Sequence, residues 1–184
     1  MLELRIDEAN ERQPQLARVS KTLVRVYINH REEERESTEG EEAVKRTVYI
    51  ADFIEVESAS DDALEVAKQA VSEAILAYDS SSSVNEFTLQ GVPMWLDKAT
   101  RAGLKLRLEA EQAAGKEETT LWYGTAAVTL PVSTAMAMLN RLEIYASECY
   151  DVTQGHLAQV AMLDSVEEVL GYNIEAGYPE KLNF

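Results

Sequence analysis

From Lys21 to Asn29 apolar and polar side chains alternate, with Val24, Val26 and Ile28 on one side; from Thr47 to Glu57 they alternate again, with Val48, Ile50, Ile54 and Val56 together. A period of two marks a strand that buries one face. The stretch between, His30 to Glu42, holds no apolar side chain and is predicted as a long solvated hairpin loop. Leu2, Leu4 and Ile6 alternate in the same way and would add a strand, giving a small antiparallel sheet. Ser60-Asp-Asp62 then supplies a cap and negative charge where a helix N-terminus wants them, ahead of Leu64, Ala67, Val71, Ile75 and Tyr78 at helical spacing. That helix should cover the sheet. Ser80 to Ser83 is a serine run with nothing to pack and reads as a linker. The predicted division is therefore an N-terminal sheet-plus-helix module over 1–79, a linker over 80–84 and a C-terminal module over 85–184.

In the second module, Phe87 to Trp95 sets two short apolar runs around Gly91, a hairpin pattern. Asp97 caps a helix over Lys98 to Ala114, which stops at Gly115 because glycine takes the left-handed C-terminal conformation most readily. Thr119–Tyr123 and Ala126–Leu130 flank Gly124-Thr125 as a second hairpin, ended by Pro131 and Ser133. Beyond Thr134, Ala135, Leu139, Leu142, Ala146, Cys149, Thr153, His156, Val160 and Leu163 recur at alternating four and three residues. Such a stripe predicts one long helix, about 45 Å from end to end, buried against the Lys98–Ala114 helix or against a second copy of the chain. Asp164 to Gly171 reads as a further short capped helix, followed by an irregular aromatic tail. The fold class is α+β: a small antiparallel sheet with a covering helix, then a helical module with two short hairpins and one long helix.

Composition narrows the function classes. A chain of 184 residues with 46% hydrophobic and 27% charged residues is expected to bury a core. Its longest uncharged stretch, Thr119 to Asn140, is broken by Gly124, Pro131 and several hydroxyl residues, so no membrane span is expected. The opening residues alternate apolar and charged side chains, unlike a secretory leader. Cys149 is the single cysteine, which excludes an internal disulfide and suits cytoplasmic synthesis. A net charge of −16 repels nucleic acid and anionic lipid, since both are held by positive side chains. The same charge suits solubility, a basic partner or, more rarely, a protein that imitates DNA to inhibit a host defence.

The search for chemistry is negative. The eight glycines have no spacing that would form a dinucleotide or phosphate loop; there is no nucleophile elbow and no paired zinc-ligand motif. No catalytic, metal or cofactor residue is assigned, and no cofactor is expected. His156 has Val152, Thr153, Gln159 and Val160 one turn away, and Cys149 lies about 10.5 Å along the helix, so both read as packing residues. His30 reads as solvated. Arg101, one turn after Asp97, reads as one half of a helix-face ion pair rather than a ligand clamp. Trp95 and Trp122 read first as hairpin anchors packed on the helices, ahead of a sugar-stacking platform. Where they are not used in the core, they and the tail aromatics Tyr172, Tyr178 and Phe184 form the candidate contact set.

Four stretches together carry a resemblance: Met94-Trp-Leu-Asp-Lys-Ala-Thr-Arg101, Glu117-Glu-Thr-Thr-Leu-Trp-Tyr123, Leu142 to Thr153 with His156, and Gly177-Tyr-Pro-Glu-Lys-Leu182. Over about residues 87–184 the chain resembles domain-of-unknown-function family 4376, found in tail-fibre-region and prophage proteins. The resemblance implies a phage or prophage protein made in the bacterial cytoplasm and associated with the virion, an accessory or assembly protein whose partner is a tail or fibre protein; with the lack of a chemical motif it points to a non-enzymatic role. It implies no reaction. A glycan or cell-wall hydrolase with a carboxylate cleft is the alternative, and an acidic inhibitor of host defence the second.

Overall fold

The structure, a computed structural model, describes residues 4–39 and 42–184; the side chains at 37–39, 42–44, 123 and 126 lie outside that description. The architecture is α+β, and its contacts divide the chain into two compact units. The first comprises Met1–Tyr78 and Gly155–Ala176, the second Asp79–Gln154 and Gly177–Phe184.

The first unit is built on a four-stranded antiparallel sheet of β1 (Arg5–Ala9), β2 (Leu16–Arg18), β3 (Leu23–Glu39) and β4 (Glu42–Glu57), in the order β1-β4-β3-β2. Alternation places Val24, Val26, Ile28, Ile54 and Val56 on one face, where they meet Val66, Ala67, Ala70, Val71 and Ile75 of α1 (Ala63–Asp79). The opposite face carries a smaller cluster of Tyr27, Ala51 and Phe53, with the Arg25 guanidinium 4.7 Å above the Phe53 ring. Asp62 caps α1, its carboxylate accepting from the amides of Leu64 (2.8 Å) and Glu65 (3.3 Å).

The structure corrects two sequence expectations in this unit. His30 to Glu42 is not a loop: β3 and β4 continue through it as a two-stranded ribbon, in register from Arg31↔Ile50 to Glu39↔Glu42, with Gly40 and Glu41 outside the described residues. A ladder is made by main-chain groups, so charged side chains can ride on both faces of it, and Arg35 pairs with Glu8 (2.9 Å) and Glu33 (3.1 Å) along the way. The strand expected around Leu2, Leu4 and Ile6 is displaced to β1; Leu2 lies outside the described residues, and Ile6 is exposed. Strand β2 has no pattern of its own. It is tied down by Arg18, which bonds the Asp61 carboxylate and the Ser60 carbonyl (2.8 Å).

The second unit contains hairpin β5 (Phe87–Leu89) and β6 (Val92–Met94), helix α2 (Lys98–Ala113), and hairpin β7 (Glu118–Tyr123) and β8 (Ala126–Pro131). Gln90 and Gly91 turn the first hairpin with φ of 51° and 81°, the left-handed pair a two-residue connection needs. Asp97 caps α2 by accepting from Thr100 N–H at 2.8 Å. At the other end Gly115 (φ 71°) closes a paired C-terminal motif: Gly115 N–H donates to Gln112 O and Lys116 N–H to Glu111 O, both at 3.0 Å. Helix α3 (Val132–Met162) follows β8 without a break. Its buried face carries Ala135, Leu139, Leu142, Tyr145, Cys149, Thr153, His156 and Val160; Tyr145 takes the place expected of Ala146, which is half-buried. Leu139 and Ala135 pack with Leu108 and Leu104 of α2, as the stripe predicts.

The stripe also serves a second core. Val160, together with Val166 and Val169 of α4 (Val166–Leu170) and Ile174, belongs to the apolar cluster of the first unit. Residues 155–176, placed by sequence in the C-terminal module, thus contribute to the core under the N-terminal sheet. Helical spacing says that a face is buried; it does not say which core receives it. Ser81 O accepts from the amides of Val84 (3.2 Å) and Asn85 (2.7 Å), Val84 is buried, and its carbonyl accepts from Tyr145 Oη at 2.8 Å.

Candidate functional site

The second unit holds an apolar cleft of about 130 Å³. Helix α2 lines it with Thr100, Leu104 and Leu108, one turn apart on the face that its caps set. Helix α3 adds Ala135, Met138, Leu139 and Leu142; the hairpins add Phe87, Leu89 and Met94 on one side and Leu121, Trp122 and Val128 on the other. Phe184 completes the wall. It is held there because the chain end makes a parallel β-bridge to β5 at Thr88↔Asn183: Thr88 N–H donates to Leu182 O (2.9 Å), Gln90 N–H to Phe184 O (2.8 Å) and Phe184 N–H to Thr88 O (2.8 Å). The Phe184 ring then stands edge-on to Phe87, with centroids 5.8 Å apart.

None of the described lining side chains is ionisable, and Thr100 is the only one with a side-chain hydroxyl. Such a wall can bury an apolar group. Among the described residues no three of His, Cys, Asp and Glu gather as metal ligands, and no helix is long and apolar enough to cross a membrane.

The structure distributes the candidate contact residues unevenly. Trp122 and Phe184 meet at this cleft, and Trp122 is 69% exposed, which corrects the expectation that it is a buried hairpin anchor. Trp95 is half-buried instead, 6.5 Å from Tyr145 and with Arg101 5.5 Å over its ring. Tyr178 points inward: Thr153 Oγ1 donates to Asp79 (2.8 Å) and accepts from the Tyr178 hydroxyl (2.9 Å). Tyr172 lies in the first unit beside His156, its hydroxyl 2.7 Å from Nδ1. Across the ring, His156 Nε2 donates to Ala176 O at 2.8 Å, so both nitrogens are engaged in holding the 172–176 segment.

Among the residues read as structural, Asp97 caps α2 but is not the partner of Arg101. Arg101, with its side chain 8% exposed, pairs with Glu143 of α3 at 2.6 Å and donates to Leu96 O at 2.7 Å; a partner brought by another helix was invisible in the local spacing. Burial pushes the Cys149 thiol up, and the nearby Asp79 and Glu148 carboxylates add to the shift, so the thiolate that would do chemistry is disfavoured. His30 is half-buried, not solvated, with Nε2 donating to Gln13 O at 3.1 Å.

Leu104, Leu121, Val128 and Met138 were not singled out by sequence. The spacing of Leu104 and Leu108 was a usable signal for the α2 wall, but no local pattern says that five separate segments converge. Compared with protein-family models, with curated proteins and with solved structures, the chain has no match. What fold and site define is an α+β protein whose second unit presents an apolar cleft with an exposed tryptophan at its edge.

Proposed function

We propose that this chain acts by non-covalent protein contact, as an accessory or assembly protein of a phage tail or tail fibre, and that the cleft of the second unit receives its partner. The observation that carries this reading is Trp122, 69% exposed on the wall of a cleft whose other lining residues are apolar apart from Thr100. A large exposed aromatic beside an apolar recess has the character of an interface hot spot. Size argues for a side chain rather than a metabolite: 130 Å³ is close to a cavity of about 150 Å³ that holds benzene, and well below the roughly 300–1,000 Å³ of drug-sized sites. The occupant is therefore one aromatic or branched aliphatic anchor on a partner segment. Flanking basic residues on that segment would suit a net charge of −16. The phage context rests on the family resemblance over residues 87–184.

The test is co-expression with the fibre protein of the same phage, followed by titration of the purified pair. A stable complex is expected, weakened by about 30-fold in Trp122→Ser, a hot-spot loss of about 2 kcal/mol. Turnover of a glycan or peptidoglycan by the purified chain, lost on changing one carboxylate, would overturn the reading in favour of a hydrolase.

A further inference from the structure

Strand β1 is an edge of the first unit's sheet: β4 pairs with one side of it, and among the described residues no strand runs along the other. An open edge presents unpaired main-chain N–H and C=O groups and is a template for a further strand. Gln13 shows which residues present them. Its Nε2 donates to both Asp7 O (3.3 Å) and Tyr49 O (3.2 Å), so the two oxygens share the space between β1 and β4. Had Asp7 O pointed outward, the register Asp7↔Ala51, Ala9↔Tyr49 would turn Tyr49 O towards β3, and the two would stand ~9 Å apart, out of reach of one nitrogen. Main-chain direction alternates along a strand, so Ile6 and Glu8 aim their N–H and C=O groups outward.

Side chains alternate too: Arg5, Asp7 and Ala9 lie on one face of the sheet, Leu4, Ile6 and Glu8 on the other. Ile6 is 65% exposed and Leu4 45%, an apolar pair at the open edge. An antiparallel strand that pairs with its own copy does so about a two-fold axis normal to the sheet, and each residue then meets one from the same face. Centred on Arg5, Asp7 or Glu8, that pairing sets like charges against each other on the axis. Centred on Ile6, it sets Ile6 against Ile6 with Leu4 diagonal to it, and Arg5 against Asp7 on both sides of the axis. Ile6, with its main-chain groups outward, exchanges both hydrogen bonds with its copy in this register. Arg5 bonds Glu55 through Nη1 (3.0 Å) and keeps its other N–H donors for the Asp7 it meets.

We propose that two copies of the chain associate through β1, paired antiparallel about Ile6, so that the sheets of their first units join into one. The edge is self-complementary on both faces, apolar on one and charge-paired on the other, and that complementarity selects a second copy as the occupant.

The experiment is sedimentation equilibrium of the full chain from about 1 µM to about 1 mM, the range in which a small interface associates. Salt at about 0.15 M confines the repulsion between chains of net charge −16 to about 8 Å. A reversible monomer–dimer equilibrium is expected. Arg5→Glu and Asp7→Arg each set like charges against each other, and each variant alone should dimerise at least about tenfold more weakly. Mixed in equal amounts they should recover a heterodimer, because the carboxylates gained by one variant meet the guanidinium groups gained by the other. Ile6→Lys, at an exposed position, should lose the dimer as well, and melting curves matching the parent's establish that the variants fold. A parent chain that stays monomeric at about 1 mM overturns the proposal. It is overturned equally if the mixture associates no better than its components, or if Ile6→Lys dimerises like the parent.

Discussion

Trp122 and Leu142 line the same cleft but answer to different energetics. Trp122 is mostly exposed, so Trp122→Ser should change stability by no more than about 0.5 kcal/mol while it weakens partner binding; a large drop in Tm would show that the ring is needed for folding. Leu142 is 2% exposed, and Leu142→Asp would bury an unpaired charge in the second unit. A loss of at least about 3 kcal/mol is expected, a fall in Tm of about 10 °C for a chain of this size. Glu111 offers a test against pH. A hydrogen bond from Lys116, aided by Thr119 and Arg107, holds its carboxyl at about 2 instead of 4.5. A depressed folded-state value gives stabilisation that is complete above about pH 4.5 and is lost as pH falls through about 2. Glu111→Gln should therefore melt below the parent chain near pH 6, with the two curves converging towards pH 2. A gap that persists at pH 2 would mean that the side chain acts by packing.

Helices α2 and α3 followed their local signals because caps and spacing are set by residues a few positions apart. The contrast between two glycines tests this. Gly115 sits at φ 71° with nothing within 4 Å of the place a methyl group would occupy, so Gly115→Ala should cost about 1 kcal/mol through the backbone alone. Gly155 lies inside α3, also with open space, and Gly155→Ala should stabilise by about 1 kcal/mol. Thermal melts of the two variants should move in opposite directions. The ribbon of β3 and β4 is the opposite case. The β3 residues beyond Arg31 carry no apolar signal, and only main-chain pairing with β4 makes them a strand. Hydrogen exchange is the measurement: alternate amides from Glu32 to Glu36 should be protected relative to an unstructured peptide, and uniform random-coil rates would restore the loop.

At the level of the whole chain, the return of Gly155–Ala176 to the first unit has a consequence for dissection. A fragment of residues 1–78 lacks Val160, Val166, Val169 and Ile174, all at most 8% exposed in the intact core. Their loss would leave apolar surface of the remaining core open to water, so the fragment should not melt cooperatively by circular dichroism, whereas the full chain should. A sharp, reversible transition in the isolated fragment would show that the sheet and α1 suffice.

The strands around Val24 and Ile54, the capped helices and both hairpins were legible in the sequence because each depends on near neighbours: a period of two or 3.6, a cap, a glycine able to turn. The same locality explains what was not legible. That Val160 serves the core under the sheet, that Arg101 pairs with Glu143, that Trp122 stays exposed and that Phe184 is held beside it by β5 are matters of which distant surfaces meet. A buried position advertises that it needs a partner, since water must be excluded from it, but the identity of the partner is decided only when the whole chain has packed.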